Sequence, residues 1–505
     1  MSKVSKGLLL LATLGLVGCD KEDEKPTPVV EDKSVRLRSF RRNHTASGVT
    51  ERPQDFAANS VELLLLEGET FKSLPGALAS PGEYAFADVP DGTYYLRRGG
   101  SYVVTSARRV DLSSDWLGRA DAQELTVSAS LAEARLDING LQPWPGDEEA
   151  FGALQFVSGE LDVAGYLDTF NVMQPGMTSV SGEIVPYDNV TAPFLYRFEQ
   201  ARGDRAWVNQ FVPRNAGTLA DGSTLSYSAV ARSLHLPPFS YDGSEPLPVN
   251  GTFSVLPSKQ FALNWKLSSF MSHVTDAHPA ATAGRPVFAL NPAAHGVEAG
   301  WIGYSGELIS FNLPRGYATD VSATLDYGNP FPSTWGEVAW FSVPFRVEYA
   351  FPGTTEPLVV SARLEVYENA SSLGAGPLQP LVLAPRDLRL DGKEAYSQQT
   401  LALGSHVISW QPPASGQASG YRLRLRRYEW NAEWGFVSNA ETFSFWLGGS
   451  ATSVRLPPEL LKPASHYILQ LTAISAPGFS AENTAALYKL PAGQADTLSG
   501  LLSTP

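Results

Sequence analysis

Turns set the limits on what this chain can become. Glycine and proline supply 44 and 37 of its 505 residues, against the roughly 12% that the pair usually contributes. Between them lie short apolar or alternating runs, among them Val61 to Leu66, Tyr102 to Thr105, Phe261 to Leu267, Trp340 to Tyr349 and Leu358 to Tyr367. In the third of these, Phe261, Leu263, Trp265 and Leu267 fall on one face at the two-residue period of a pleated strand. Long helical periods are missing. At about 100–200 residues per domain the length allows three or four domains. The expectation is an all-β chain, a multidomain string of antiparallel β-sandwiches. The net charge of −14 is the wrong sign for a protein that neutralises a phosphate backbone, so no nucleic-acid partner is expected.

The start of the chain has a different character. Lys3 and Lys6 precede an apolar run from Gly7 to Val17, long enough for a signal-peptide core and well short of the roughly 20 residues that span a bilayer. The run closes on Leu16-Val17-Gly18-Cys19, which resembles the bacterial lipobox. That resemblance implies removal of residues 1–18 and a diacylglycerol on the Cys19 thiol, which then anchors the chain to a membrane of the bacterial cell envelope. Asp20 follows directly; in enteric bacteria this residue retains a lipoprotein at the inner membrane and elsewhere it is read differently, so inner and outer leaflets both stay open. Cys19 is also the chain's one cysteine, which leaves no disulfide in the mature protein. Residues 19–34 carry acids, lysines, Pro26 and Pro28 with little apolar bulk and read as a flexible tether. Fully extended, residues 20–33 reach about 45 Å.

Two further resemblances divide the body. The segment Tyr84-Ala85-Phe86-Ala87-Asp88-Val89-Pro90-Asp91-Gly92-Thr93-Tyr94 is similar to the strand-turn-strand signature of transthyretin-like, or carboxypeptidase-regulatory-like, β-sandwiches, which implies such a domain over 35–136. Val407-Ile408-Ser409-Trp410-Gln411-Pro412-Pro413, then Gly420-Tyr421-Arg422-Leu423-Arg424-Leu425, resembles strands B and C of a fibronectin type III domain. Pro463 and the run Tyr467 to Ala473 resemble that family's tyrosine corner and strand F. This resemblance covers 386–490 and implies that Trp410 fills the space between two sheets, that Leu423 and Leu425 point inward, and that the Tyr467 hydroxyl satisfies a backbone group. Ala464 stands where the family usually has glycine. Residues 491–505 are expected to be a C-terminal tail. The intervening β region carries no signature, and a division near Tyr241 gives unassigned domains at 137–240 and 241–385.

Candidate chemistry is sparse. His273, Asp276, His278, His295 and Glu298 fall within one stretch, but no zinc-protease helix motif accompanies them, and the surrounding alanine, glycine and proline suggest solvated loop residues and no metal site. Ser305 in Gly303-Tyr304-Ser305-Gly306-Glu307 lacks the spacing and the strand-turn-helix context of a nucleophile elbow. Arg202-Gly203-Asp204 spells an adhesion tripeptide, but a β-turn explains it better. No phosphate-binding glycine loop, dinucleotide fingerprint or calcium loop is present, and no cofactor is expected. Trp430, Trp434, Phe436, Phe443, Phe445 and Trp446 sit close together, and strand alternation places them on both faces, more for core packing than as a ligand platform. These features point to a non-catalytic binding or structural module with a protein or carbohydrate ligand; the alternative is a hydrolase of envelope or extracellular polymer with its site within 137–385. Replacing the acylated thiol, Cys19→Ser, is expected to abolish lipid labelling and release the protein from membranes, and unchanged partition into the membrane fraction would contradict the lipobox reading.

Overall fold

A computed structural model describes residues 32–125, 132–145, 152–189, 195–373 and 376–505; the expected signal segment, Cys19 and the expected tether as far as residue 31 lie outside them. Strand makes up 53% of the chain and helix 5%, so the all-β, multidomain expectation holds. Residues 32–34, expected to end the tether, already belong to the first unit: the Lys33 carbonyl accepts from the Val89 N–H at 3.0 Å.

The first unit is a sandwich of two layers. One runs Arg109–Asp111, Val35–Arg38, Glu83–Phe86, Ala77–Ser80, and the other Thr70–Leu74, Val61–Glu67, Tyr94–Arg98, Ser101–Thr105. Val35, Leu37, Leu63, Phe86, Tyr94 and Leu96 fill the space between them. The signature segment is therefore an arch across the sandwich: Glu83–Phe86 lies in one layer and Tyr94–Arg98 in the other. A simple hairpin would pair these strands with each other. Gly92 makes the crossing turn at φ 123°, a conformation closed to residues with a Cβ.

In the second unit the ladder of pairings returns to its start. Ala132–Asn139 pairs with Ser179–Asn189, then come Val163–Leu167, Ala153–Ser158, Ala206–Thr218 and Thr224–Leu236. Ser254–Val255 pairs with the last of these, and the preceding Leu247–Thr252 runs beside Ala132–Asn139. Leu136, Phe156, Val163, Tyr187, Val208, Leu234 and Val249 are enclosed. The expected boundaries at 136 and 240 both fall inside this unit. Ala134, Leu136 and Ile138 are successive inward residues of one strand, and the Leu247–Thr252 strand is needed to close the ring.

The third unit packs the pair Ser258–Trp265 and Val321–Gly328 against a layer of Ile309–Asn312, Val287–Ala293, Gly336–Tyr349 and Leu358–Asn369. The face of Phe261, Leu263, Trp265 and Leu267 is buried as its period requires; Phe261 meets Phe288 and Trp265 meets Phe341, each with ring centroids 5.3 Å apart.

The fourth unit has the pairings of a fibronectin type III-like sandwich. Arg386–Leu390, Val407–Gln411 and Ser453–Arg455 form one layer; Phe436–Gly448, Gly420–Asn431, His466–Ser475 and Ala492–Leu498 form the other. Trp410 is 2% exposed between them and Tyr467 is fully buried. The Lys462 N–H donates to the Tyr467 hydroxyl at 2.7 Å, and that hydroxyl faces the Leu460 carbonyl at 3.4 Å. Ala464 holds φ +47°, the left-handed region that a glycine would occupy without strain. Residues 491–505 are not a tail: Ala492–Leu498 is buried along its whole length and supplies the last strand of this layer. The sequence hid it because Gly493, Gln494 and Asp496 break any apolar pattern.

The sandwiches are joined edge to edge. Ala492–Leu498 pairs on its far side with Leu358–Asn369 of the third unit, and Phe436–Gly448 pairs in parallel with Ser101–Thr105 of the first. Thr224–Leu236 of the second unit pairs with Ile309–Asn312 of the third. One ladder thus crosses all four units. Because Trp410 occupies the centre of the fourth, Trp410→Ala is expected to destabilise it by about 3–5 kcal/mol, as for a large aromatic removed from a core. Denaturant unfolding of the Cys19→Ser form checks this, and a change within about half a kcal/mol, typical of exposed sites, would contradict the packing.

Candidate functional site

Strand alternation builds a strongly polar concavity. In Gly420–Asn431 the side chains of Tyr421, Leu423 and Leu425 are buried in the sandwich, so Arg422, Arg424 and Arg426 project from the opposite face. Register places Arg422 beside Thr472 and Arg424 beside Gln470. Thr472 lies opposite Asp496, and Gln494 opposite Glu365 of the third unit. The resulting groove, of about 480 Å³, crosses the seam between the two units; Tyr428 lines it too, as do Tyr367 and Tyr488.

Its two acids are engaged. Asp496 accepts from the Arg363 backbone N–H at 3.0 Å, from Gln470 Nε2 at 2.7 Å and from the Thr472 hydroxyl at 2.6 Å. Since Arg363 belongs to the third unit, this carboxylate stitches the seam. Glu365 accepts from the Ser342 hydroxyl at 3.0 Å and lies 3.4 Å from the Arg363 guanidinium. Burial pushes the Glu365 carboxyl above the ordinary range; Arg363 offsets part of this and the Asp496 charge adds to it.

The bases are not engaged in the same way. Burial, together with the charge of Arg422, pushes Arg424 down to about 10, with Arg426 adding to the effect and Asp496 opposing it. The Nε of Arg422, Arg424 and Arg426, Gln470 Oε1 and Gln494 Nε2 are all buried without a hydrogen bond within the protein. Arg422 stacks over the Trp446 ring at 5.3 Å and reaches Gln494 Oε1 at 3.4 Å. Buried polar groups normally find partners, so a set of unmatched donors and one acceptor along one groove suits a ligand that brings the complementary atoms.

The sequence candidates fare differently. His273 pairs with Asp276 at 2.7 Å, but the other three do not join them. His278 is no solvated loop residue: it is 6% exposed, its Nε2 donates to the Tyr396 carbonyl at 3.0 Å and its Nδ1 accepts from the Ala280 N–H at 3.0 Å. Burial pushes its pKa down. His295 is half-buried against Trp335 and Glu298 is exposed. Among the described residues no three His, Cys, Asp or Glu side chains gather as a metal-binding set. Ser305 is 1% exposed, which withdraws it from any substrate. Asp204 of the adhesion-like tripeptide is fully buried and paired with Arg119 at 2.9 Å, so its carboxylate is not offered to a partner. The aromatic group divides: Phe445 is buried and stacked on Tyr102 at 4.6 Å, Trp446 donates to the Ser101 hydroxyl at 3.2 Å, and Trp430, Trp434 and Phe436 are exposed near a hairpin tip. The groove itself went unread in the sequence, although three arginines alternating with core residues are a visible sign of a charged sheet face.

No family model matches this chain, and no curated protein matches it. Among solved structures it aligns with the chicken CNTN1 FN1–FN3 domains at 11% identity and a TM-score of 0.15, over 76% of this chain and 98% of that chain. At that score the likeness supports no inference, and the fibronectin-like arrangement of the fourth unit rests on its own pairings.

A carboxyl whose pKa is raised by folding contributes stability that is complete below its unfolded value and lost as pH rises through the folded one. The melting temperature of Glu365→Gln relative to the parent is therefore expected to increase from pH 5 to pH 8. A difference that is flat or declines over that interval would contradict the burial of an ionisable Glu365.

Proposed function

We propose that this protein is a lipid-anchored component of a bacterial cell envelope that binds a ligand without transforming it. The anchor rests on the lipobox resemblance at Cys19 and on the tether that follows. The binding role rests on one observation above all, the row of half-buried arginines whose buried Nε atoms have no partner in the groove. A sheet face that served only to join two units would be expected to satisfy its own donors, as Asp496 does at the seam.

One feature favours the hydrolase reading: Glu365 and Asp496 line the same concavity, and the carboxyl of Glu365 is raised, as a general acid requires. Against it, Asp496 is held by three protein donors, one of them a backbone N–H across the seam, which is the environment of a structural carboxylate.

The two readings separate in a single experiment. The soluble Cys19→Ser form, passed over glycan and protein-ligand panels with recovery of whatever it retains, is expected to hold a ligand at one-to-one stoichiometry and return it intact. Shortened ligand whose formation stops in Glu365→Gln would establish the hydrolase, and retention of nothing would leave an architectural spacer.

A further inference from the structure

We propose that the groove takes an acidic oligosaccharide, its carboxylate groups seated on Arg422, Arg424 and Arg426 and its hydroxyls on Gln470 and Gln494. This deepens the binding reading above and rests on it.

The three arginines occupy alternate positions of one strand, so their Cα atoms are about 7 Å apart and the row is about 14 Å long. None of them forms an ion pair among the described residues. The nearest acids offer little compensation, since Asp496 is held by its own three donors and burial favours the neutral form of Glu365. Like charges held side by side in a partly dry groove repel, and a bound anion relieves that repulsion. In a chain of net charge −14, such a row is a local exception that overall composition does not explain.

The shape and the hydrogen-bonding pattern narrow the anion. The guanidinium fork matches a carboxylate through paired N–H donors. A row of this length exceeds a single sugar ring or an inorganic oxyanion, and it accommodates a linear molecule with repeated charges. Gln470, 3% exposed, presents an unpaired acceptor, and Gln494, 6% exposed, an unpaired donor. A ligand that both donates and accepts next to its charged groups satisfies them, as sugar hydroxyls do and a sulfate ion cannot. Tyr428 adds an amphipathic ring of the kind that packs on a sugar face.

The test uses trigalacturonate as probe on the Cys19→Ser form, with calorimetry in low and high salt. Saturable one-site binding is expected, at least about tenfold weaker for the neutral methyl ester and at least about tenfold weaker in Arg424→Gln, the effect of removing a charge-assisted contact. The same variant is expected to melt no lower than the parent, because it removes repulsion in the free protein; a merely structural arginine would lower the melting temperature. No saturable binding, equal affinity for the methyl ester, or equal competition by inorganic phosphate or tetraglutamate would overturn the assignment. A different ligand recovered from the panels and indifferent to Arg424→Gln would also remove it while leaving the binding function in place. Cleavage of the trisaccharide would do the reverse, upholding the ligand class and ending the non-catalytic reading.

Discussion

A β-sheet with unpaired edges invites further strands, and here both edges of the central sheet are taken by neighbouring units. The fibronectin-like layer gives Ala492–Leu498 to the third unit and Phe436–Gly448 to the first. Side chains reinforce each joint. Phe445 stacks on Tyr102, the Thr105 hydroxyl donates to Glu482, and Ala481 is part of the first sandwich's own core. On the other side the Tyr349 hydroxyl donates to the Ser499 carbonyl at 2.8 Å. Main-chain ladders at both seams replace the exposed linkers that usually separate domains, and the fourth unit becomes the piece against which the others are registered.

The same joint makes the groove. Its floor consists of strands from two units, and Asp496 connects them by accepting an N–H from one and side-chain donors from the other. Whatever loosens the seam therefore also displaces Glu365 relative to Gln494 and the arginine row. A ligand that reached across to Tyr367 or Glu365 as well as the arginines would favour the docked arrangement.

What was legible in the sequence was locally encoded. Trp410, Leu423, Leu425 and Tyr467 announced their sandwich because each sits within a short motif whose chemistry is complete in itself, and the arch over Pro90 and Gly92 did the same for the first unit. Pairings between distant strands leave no such mark. Nothing in Ser101–Thr105 indicates that it will lie beside Phe436–Gly448, and Ala492–Leu498 reads as loop because its buried residues are mostly small or polar. The histidine group misled for a related reason: small residues around His278 suggested an exposed loop, whereas Tyr349 and Tyr396, far along the chain, pack around it. The arginines were in view, but their role depended on which strands lay alongside.

The central claim, that one continuous ladder binds the units into a single body, is tested most directly by native-state hydrogen exchange at the two seams. The account predicts that amides whose bonds cross between Leu364–Tyr367 and Ala492–Ala495, and between Ser101–Val104 and Ser444–Leu447, exchange as slowly as those between Gly420–Asn431 and His466–Ser475 inside the fourth unit. Exchange at the seams as fast as at an open sheet edge, with the interior ladder still protected, would contradict it.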